Sequence, residues 1–140
     1  MTVRVLISDQ MDPRAAAIFR ERGIAVDEIT GQTPDELAAM IHAYDGLAIR
    51  SSTKVTPAIL DAATRLKVVG RAGIGVDNVD IASATQRGVV VMNTPFGNSI
   101  TTAEHAIALI FALARQLPEA DASTQAGKWE IGRASCRERV

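Results

Sequence analysis

The sequence has 140 residues, 47% of them apolar and 22% charged, with a formal net charge of −1. These values describe one ordinary globular domain, and balanced charge with only 4% aromatics argues against a basic or base-stacking nucleic-acid surface. No apolar run is long enough to span a membrane, the opening MTVRVLI turns polar too soon for a signal peptide, and the single cysteine, Cys136, can form no internal disulfide, so a cytoplasmic protein is expected.

Residues 3–7 read as a buried strand. Asp12-Pro13 then opens a helix, because Asp supplies a cap oxygen and Pro fits the first helical position without losing a needed N–H. That helix carries Ile18 and Phe19 and stops at Gly23; residues 24–29 form the second strand. Thr33-Pro34-Asp35-Glu36 is a capping box ahead of Leu37, Met40 and Ile41. Residues 46–49 form a third strand, Thr56-Pro57 caps a third helix with Ile59, Leu60 and Ala63, and residues 66–69 form a fourth strand. A helix over 79–87 ends at Gly88, and a fifth strand follows at 89–92. Thr101-Thr102-Ala103-Glu104 reads as a second capping box, starting a long apolar helix to about residue 117. Residues 118–129 suggest one more short helix.

Five alternations of strand and helix with short connections predict an α/β fold with a parallel sheet. Right-handed crossovers make it a flavodoxin-like, doubly wound, five-stranded unit. The long helix departs from this pattern: Ile107, Leu109, Ile110, Phe111 and Leu113 cannot share one face, so a covering partner is expected. Residues 131–140 lack a period and read as a non-native tail, such as vector or adaptor read-through; an ordinary disordered terminus is the alternative.

Ligands of an open α/β sheet bind beyond the carboxyl ends of its strands. Three stretches fall there: Arg50-Ser51-Ser52-Thr53-Lys54, then Gly70-Arg71-Ala72-Gly73-Ile74-Gly75-Val76-Asp77-Asn78, then Asn93-Thr94-Pro95-Phe96-Gly97-Asn98-Ser99. Two arginine forks, several hydroxyls, glycine backbone and a helix N-terminus suit a small anion. Each has a plainer reading, the arginines as surface ion-pair partners and the glycines as turn residues. Gly73-Ile74-Gly75 follows a strand, but Asn78 stands where a dinucleotide fingerprint needs its third glycine. His42 and His105 lack ligand spacing, so no metal site is expected. Asp9 and Asp12 follow the first strand, and capping accounts for Asp12.

The run VVGRAGIGVDNVD at 68–80, followed by RGVVVMNTP at 87–95 and Gly97-Asn98-Ser99, strongly resembles the D-2-hydroxyacid dehydrogenases, and among them the phosphoglycerate branch. Arg50 to Thr56, Thr102-Ala103-Glu104-His105, Ala114 to Pro118 and Gly127 to Glu130 fit the same pattern. The resemblance implies a substrate-binding domain over 1–98 and the start of a Rossmann nucleotide-binding domain over 99–130, into which the long helix, taken from Ser99 to Leu117, crosses. It places Arg50, Ser51, Ser52, Thr53, Arg71, Gly73, Ile74, Asn98 and Ser99 near a small phosphorylated 2-hydroxy acid. Ile74, Gly75 and Thr102 would approach NAD, bound mainly by the domain that this chain does not complete. The family's catalytic arginine, glutamate and histidine, and its G-x-G-x-x-G loop, match no residue here, so no catalytic residue is assigned and the chain alone is expected to be inactive. A homo-oligomeric parent enzyme is implied. The alternatives are a glyoxylate or hydroxypyruvate reductase of the same family, and a non-catalytic regulatory module on the same fold.

Overall fold

The computed structural model describes residues 2–128, so the expectation for 131–140 lies outside the described residues. The chain divides into two compact units, Met1–Gly97 and Asn98–Val140. In the first, strands β1 (Arg4–Ile7), β2 (Ala25–Glu28), β3 (Gly46–Ile49), β4 (Val68–Arg71) and β5 (Val90–Met92) form one sheet in the order β2-β1-β3-β4-β5. Every pairing is parallel. This is the flavodoxin-like order, with its topological switch point between β1 and β3.

Helices α1 (Pro13–Glu21), α2 (Pro34–Met40), α3 (Pro57–Ala62) and α4 (Ile81–Gln86) connect the strands. Their starts are fixed locally. Asp12 accepts from the Arg14 N–H, Thr33 and Glu36 complete the reciprocal capping box, and Thr56 accepts from the Ile59 N–H. Gly23 and Gly88, both at positive φ, follow the ends of α1 and α4 in a conformation that a Cβ would strain.

The core lies on one face of the sheet. Leu6, Leu47, Ile49 and Val69 from the strands meet Leu37 of α2, Ile59 and Leu60 of α3 and Ala84 of α4, all nearly excluded from water. Strand alternation turns Val5 and Ile7 to the opposite face, the side of the buried Ala16 on α1.

Several boundaries shift by one to three residues from the sequence expectation, and two of the shifts have a clear local cause. Strand β4 begins at Val68, two residues later than the apolar run suggests, because the Leu66 N–H turns back to the Ala63 carbonyl. Gly70 and Arg71 are therefore paired strand residues, opposite Ala48 and Ile49. In the second unit, helix α5 (Ser99–Ala114) starts before Thr101, with Asn98 as N-cap and no side-chain cap bond. The Thr101 hydroxyl donates instead to the Asn98 carbonyl, within the helix, so the second capping box does not form. Gln116 in the left-handed region ends the run, and Pro118 enters the first turn of α6 (Leu117–Gln125).

Candidate functional site

Because all five strands run the same way, the loops after β1, β3, β4 and β5 gather at one edge of the sheet. The chain leaves β1 through Ser8 and Asp9, both buried. A buried carboxylate must be paired or hydrogen-bonded. Asp9 meets this demand on the β3 loop: it accepts from the Arg50 N–H at 2.6 Å, the Thr53 N–H at 3.1 Å and the Thr53 hydroxyl at 2.8 Å. With the Thr53 proton directed to Asp9, the Ser8 hydroxyl donates to Thr53 Oγ1 at 2.9 Å.

Asn78 holds the same loop from its carbonyl side. Its Nδ2 donates to the Arg50 and Thr53 carbonyls, each at 2.7 Å, and its own carbonyl accepts from the Val55 N–H. Ser51 and Ser52 lie between the tied ends and are exposed. The Arg50 guanidinium is exposed and donates to the Gln10 carbonyl at 3.1 Å.

Arg71 ends β4 and is largely enclosed, its side chain 14% exposed. Its Nε donates to the Arg50 carbonyl at 3.3 Å, and its guanidinium lies 4.0 Å from Asp77. The glycine loop crosses directly over it: a Cβ on Gly73 would sit 2.6 Å from Arg71 Nη1. Any larger residue at Gly73 would force the guanidinium out of this position. A Cβ on Gly75 would likewise meet Asp77 Oδ1 at 2.9 Å. Asn93, beyond β5, donates from Nδ2 to the Ile74 carbonyl at 2.7 Å, and the Thr94 N–H reaches the Gly73 carbonyl.

The structure therefore brings Arg50, Ser51, Ser52, Thr53, Arg71, Gly73, Ile74 and Gly75 into one bonded platform. Among the described residues, no group accepts from the N–H of Ser51, Ser52, Ile74 or Gly75. These four donors and the Arg50 guanidinium give the edge the chemistry of an anion receptor. Asn98, Ser99 and Thr102 belong to the second unit, at the N-cap, first turn and first hydrogen-bonded turn of α5. Among the described residues there is no group of three His, Cys, Asp or Glu able to hold a metal ion.

Asp9 and Asn78 are absent from the sequence-predicted site: Asp9 stands near the capping Asp12, and Asn78 occupies the place of a missing glycine. An acidic residue directly after the first strand at a switch point was the available signal for Asp9. Close by, the Ser83 N–H, bonded to the α4 cap Asp80, holds that carboxyl below the usual range.

A doubly wound unit with N–H donors and two arginines at the carboxyl edge of its sheet defines an α/β domain whose edge has donor chemistry suited to an anion. The chain belongs to the D-isomer specific 2-hydroxyacid dehydrogenases: the catalytic domain of that family matches residues 5–138. It is similar to the D-3-phosphoglycerate dehydrogenase of Archaeoglobus fulgidus, at 48% identity over 128 residues, covering 91% of this chain and 24% of that protein. The chain thus spans about a quarter of that relative's length. The crystal structure of the TT0316 protein from Thermus thermophilus superposes with a TM-score of 0.80 at 31% identity, over 95% of this chain and 43% of the other. NAD+-bound 3-phosphoglycerate dehydrogenase from Entamoeba histolytica gives a TM-score of 0.73 at 26% identity, over 95% and 43%. No helix among the described residues is long and apolar enough to cross a membrane.

Proposed function

We propose that this chain carries the substrate platform of an NAD-dependent dehydrogenase that oxidises D-3-phosphoglycerate to 3-phosphohydroxypyruvate, on the cytoplasmic route to L-serine. The observation that carries this reading is the set of unpaired N–H groups at Ser51, Ser52, Ile74 and Gly75 beside Arg50, on a chain whose similar relatives include D-3-phosphoglycerate dehydrogenases. The backbone of Ile74 and Gly75 holds the substrate carboxylate; Arg50 neutralises the phosphate, the Ser51 and Ser52 N–H groups donate to it, and Thr53, spent on Asp9, fixes the end of their loop. Arg71 supports the glycine loop from beneath and adds positive charge at short range. NAD, when bound, accepts the hydride; in the first unit, Ile74 and Gly75 are the residues assigned to its nicotinamide end. The exposed Ile74 side chain suits that apolar ring surface. Proton transfer is left to groups other than those described, and the 140-residue chain alone is expected to show no NADH production.

Calorimetric titration of the chain with D-3-phosphoglycerate, D-glycerate and hydroxypyruvate tests the assignment. The phosphorylated acid should bind tightest, and Arg50→Ala should weaken it by about 1.5–3 kcal/mol. Equal affinity for the unphosphorylated acids would move the reading to a glyoxylate or hydroxypyruvate reductase. Absence of binding by all three would overturn it.

A further inference from the structure

The β3 loop is tied in an unusual way. Arg50 and Thr53, its two ends, each have the backbone N–H bonded to Asp9 and the backbone carbonyl bonded to Asn78. The two side chains reach across from separate loops, after β1 and after β4. Between the ties, Ser51 and Ser52 keep unpaired N–H groups. The Asn78 amide is oriented against its own interest. Its Oδ1 is buried and has no hydrogen-bond partner among the described residues, a state that is normally unfavourable. Turning the amide over would satisfy nothing, since it would set Oδ1 against two carbonyl oxygens 2.7 Å away. The two carbonyls decide the orientation, and the orphaned oxygen follows from it.

From this geometry we infer that Asn78 is a positioning residue: with Asp9 it holds the Ser51-Ser52 peptide in the shape that receives the substrate's anionic end. The inference rests on the substrate reading above, but names a residue that touches no substrate. A loop pre-set in this way binds without first selecting one shape from many, whereas a loosened loop binds in proportion to its competent fraction.

The test uses the 140-residue chain with Asn78→Asp, which keeps the size but turns a donor into an acceptor, and Asn78→Ala, which removes the group. Thr33→Ala, which breaks the capping box of α2, serves as a control for general destabilisation. Backbone 15N relaxation and affinity for D-3-phosphoglycerate are both measured well below each variant's melting temperature. Both Asn78 variants should lose order at Ser51 and Ser52 while β1, β3 and β4 stay rigid, and should bind about tenfold more weakly. Thr33→Ala should melt earlier yet bind as the parent does. Unchanged loop order, or unchanged affinity in a parent that binds, overturns the positioning role alone. A parent that binds nothing, with its loop ordered, overturns this inference together with the substrate reading. Equal loss of affinity in Thr33→Ala would reduce the Asn78 effect to ordinary destabilisation and overturn it as well.

Discussion

The two units handle apolar side chains in opposite ways. In the first, Leu6, Ile41, Leu47 and Ile49 are at most 2% exposed, in a core closed by α2, α3 and α4. In the second, α5 carries Ile107, Leu109, Ile110, Phe111 and Leu113, every one of them more than half exposed. Apolar content is therefore no guide to where a core lies. Periodicity is: strand alternation and amphipathic helices close the first core, while α5 spreads its apolar residues around the helix. A contiguous apolar surface of this kind is a contact surface in waiting.

The largest contrast should come from matched truncations. Leu47→Ala should cost about 2–5 kcal/mol in urea unfolding, because it empties a closed core. Leu113→Ala, at a side chain already 76% exposed, should cost close to nothing. Similar losses at both sites would mean that α5 is packed as firmly as the sheet. Next in size is association. We expect the chain to self-associate through α5, and Leu109→Ser with Phe111→Ser to raise the concentration of half-association at least about tenfold, since each such side chain contributes roughly 1.5–3 kcal/mol when buried. Light scattering over a dilution series decides it, and an unmodified chain that stays monomeric at high micromolar concentration breaks the expectation. Smaller again is the contrast between caps. Thr33→Ala removes a formed capping box and should cost about 1 kcal/mol, whereas Asn98→Ala removes no side-chain cap bond and should leave stability unchanged.

The smallest effect follows from acid, at the edge of the first unit opposite the site. The Tyr44 hydroxyl and then Arg4 hold the Asp27 carboxyl below the usual range; the Arg4 backbone N–H, then Arg65, do the same for Asp45. Depressed carboxyl values stabilise the fold above their unfolded pKa, about 4, and that contribution is lost as pH falls through the folded value. Tyr44 has the opposite sign. Burial, then Asp27, raises its value, so its contribution is present below about pH 10 and lost above it. Denaturation midpoints should thus hold steady from about pH 5 to 8 and fall at both extremes, with Asp27→Asn flattening the acid limb. An acid limb unchanged by Asp27→Asn would remove that carboxylate from the account.

What the sequence disclosed follows the range of the interaction. Helix starts at Pro13, Pro34 and Pro57 are legible because cap and first turn lie within three residues. The five strands and their parallel sense follow from the alternation of strand and helix, and the observed order is that of the expected flavodoxin-like unit. The start of β4 was misplaced because Leu66 is apolar and buried, yet its N–H closes a turn after α3. The capping pattern alone places the start of α5 too late, because the Thr101 to Glu104 spacing mimics a cap that Asn98 pre-empts, whereas the family resemblance starts the helix at Ser99, as observed. At the site, Arg50 to Thr53 and the glycine loop were legible from the sheet-edge rule. The bonds that shape them were not: Asp9 reaches Arg50 across 41 positions and Asn78 across 28, separations that leave no local spacing to read.

Chemical-shift mapping of the 15N-labelled chain with D-3-phosphoglycerate tests the central claim most directly. Saturable shifts are expected to concentrate at the N–H groups of Ser51, Ser52, Ile74 and Gly75, at the carboxyl edge of the sheet. Shifts centred on Arg4, Tyr44 and Arg65 at the opposite edge, or none at saturating ligand, would contradict it.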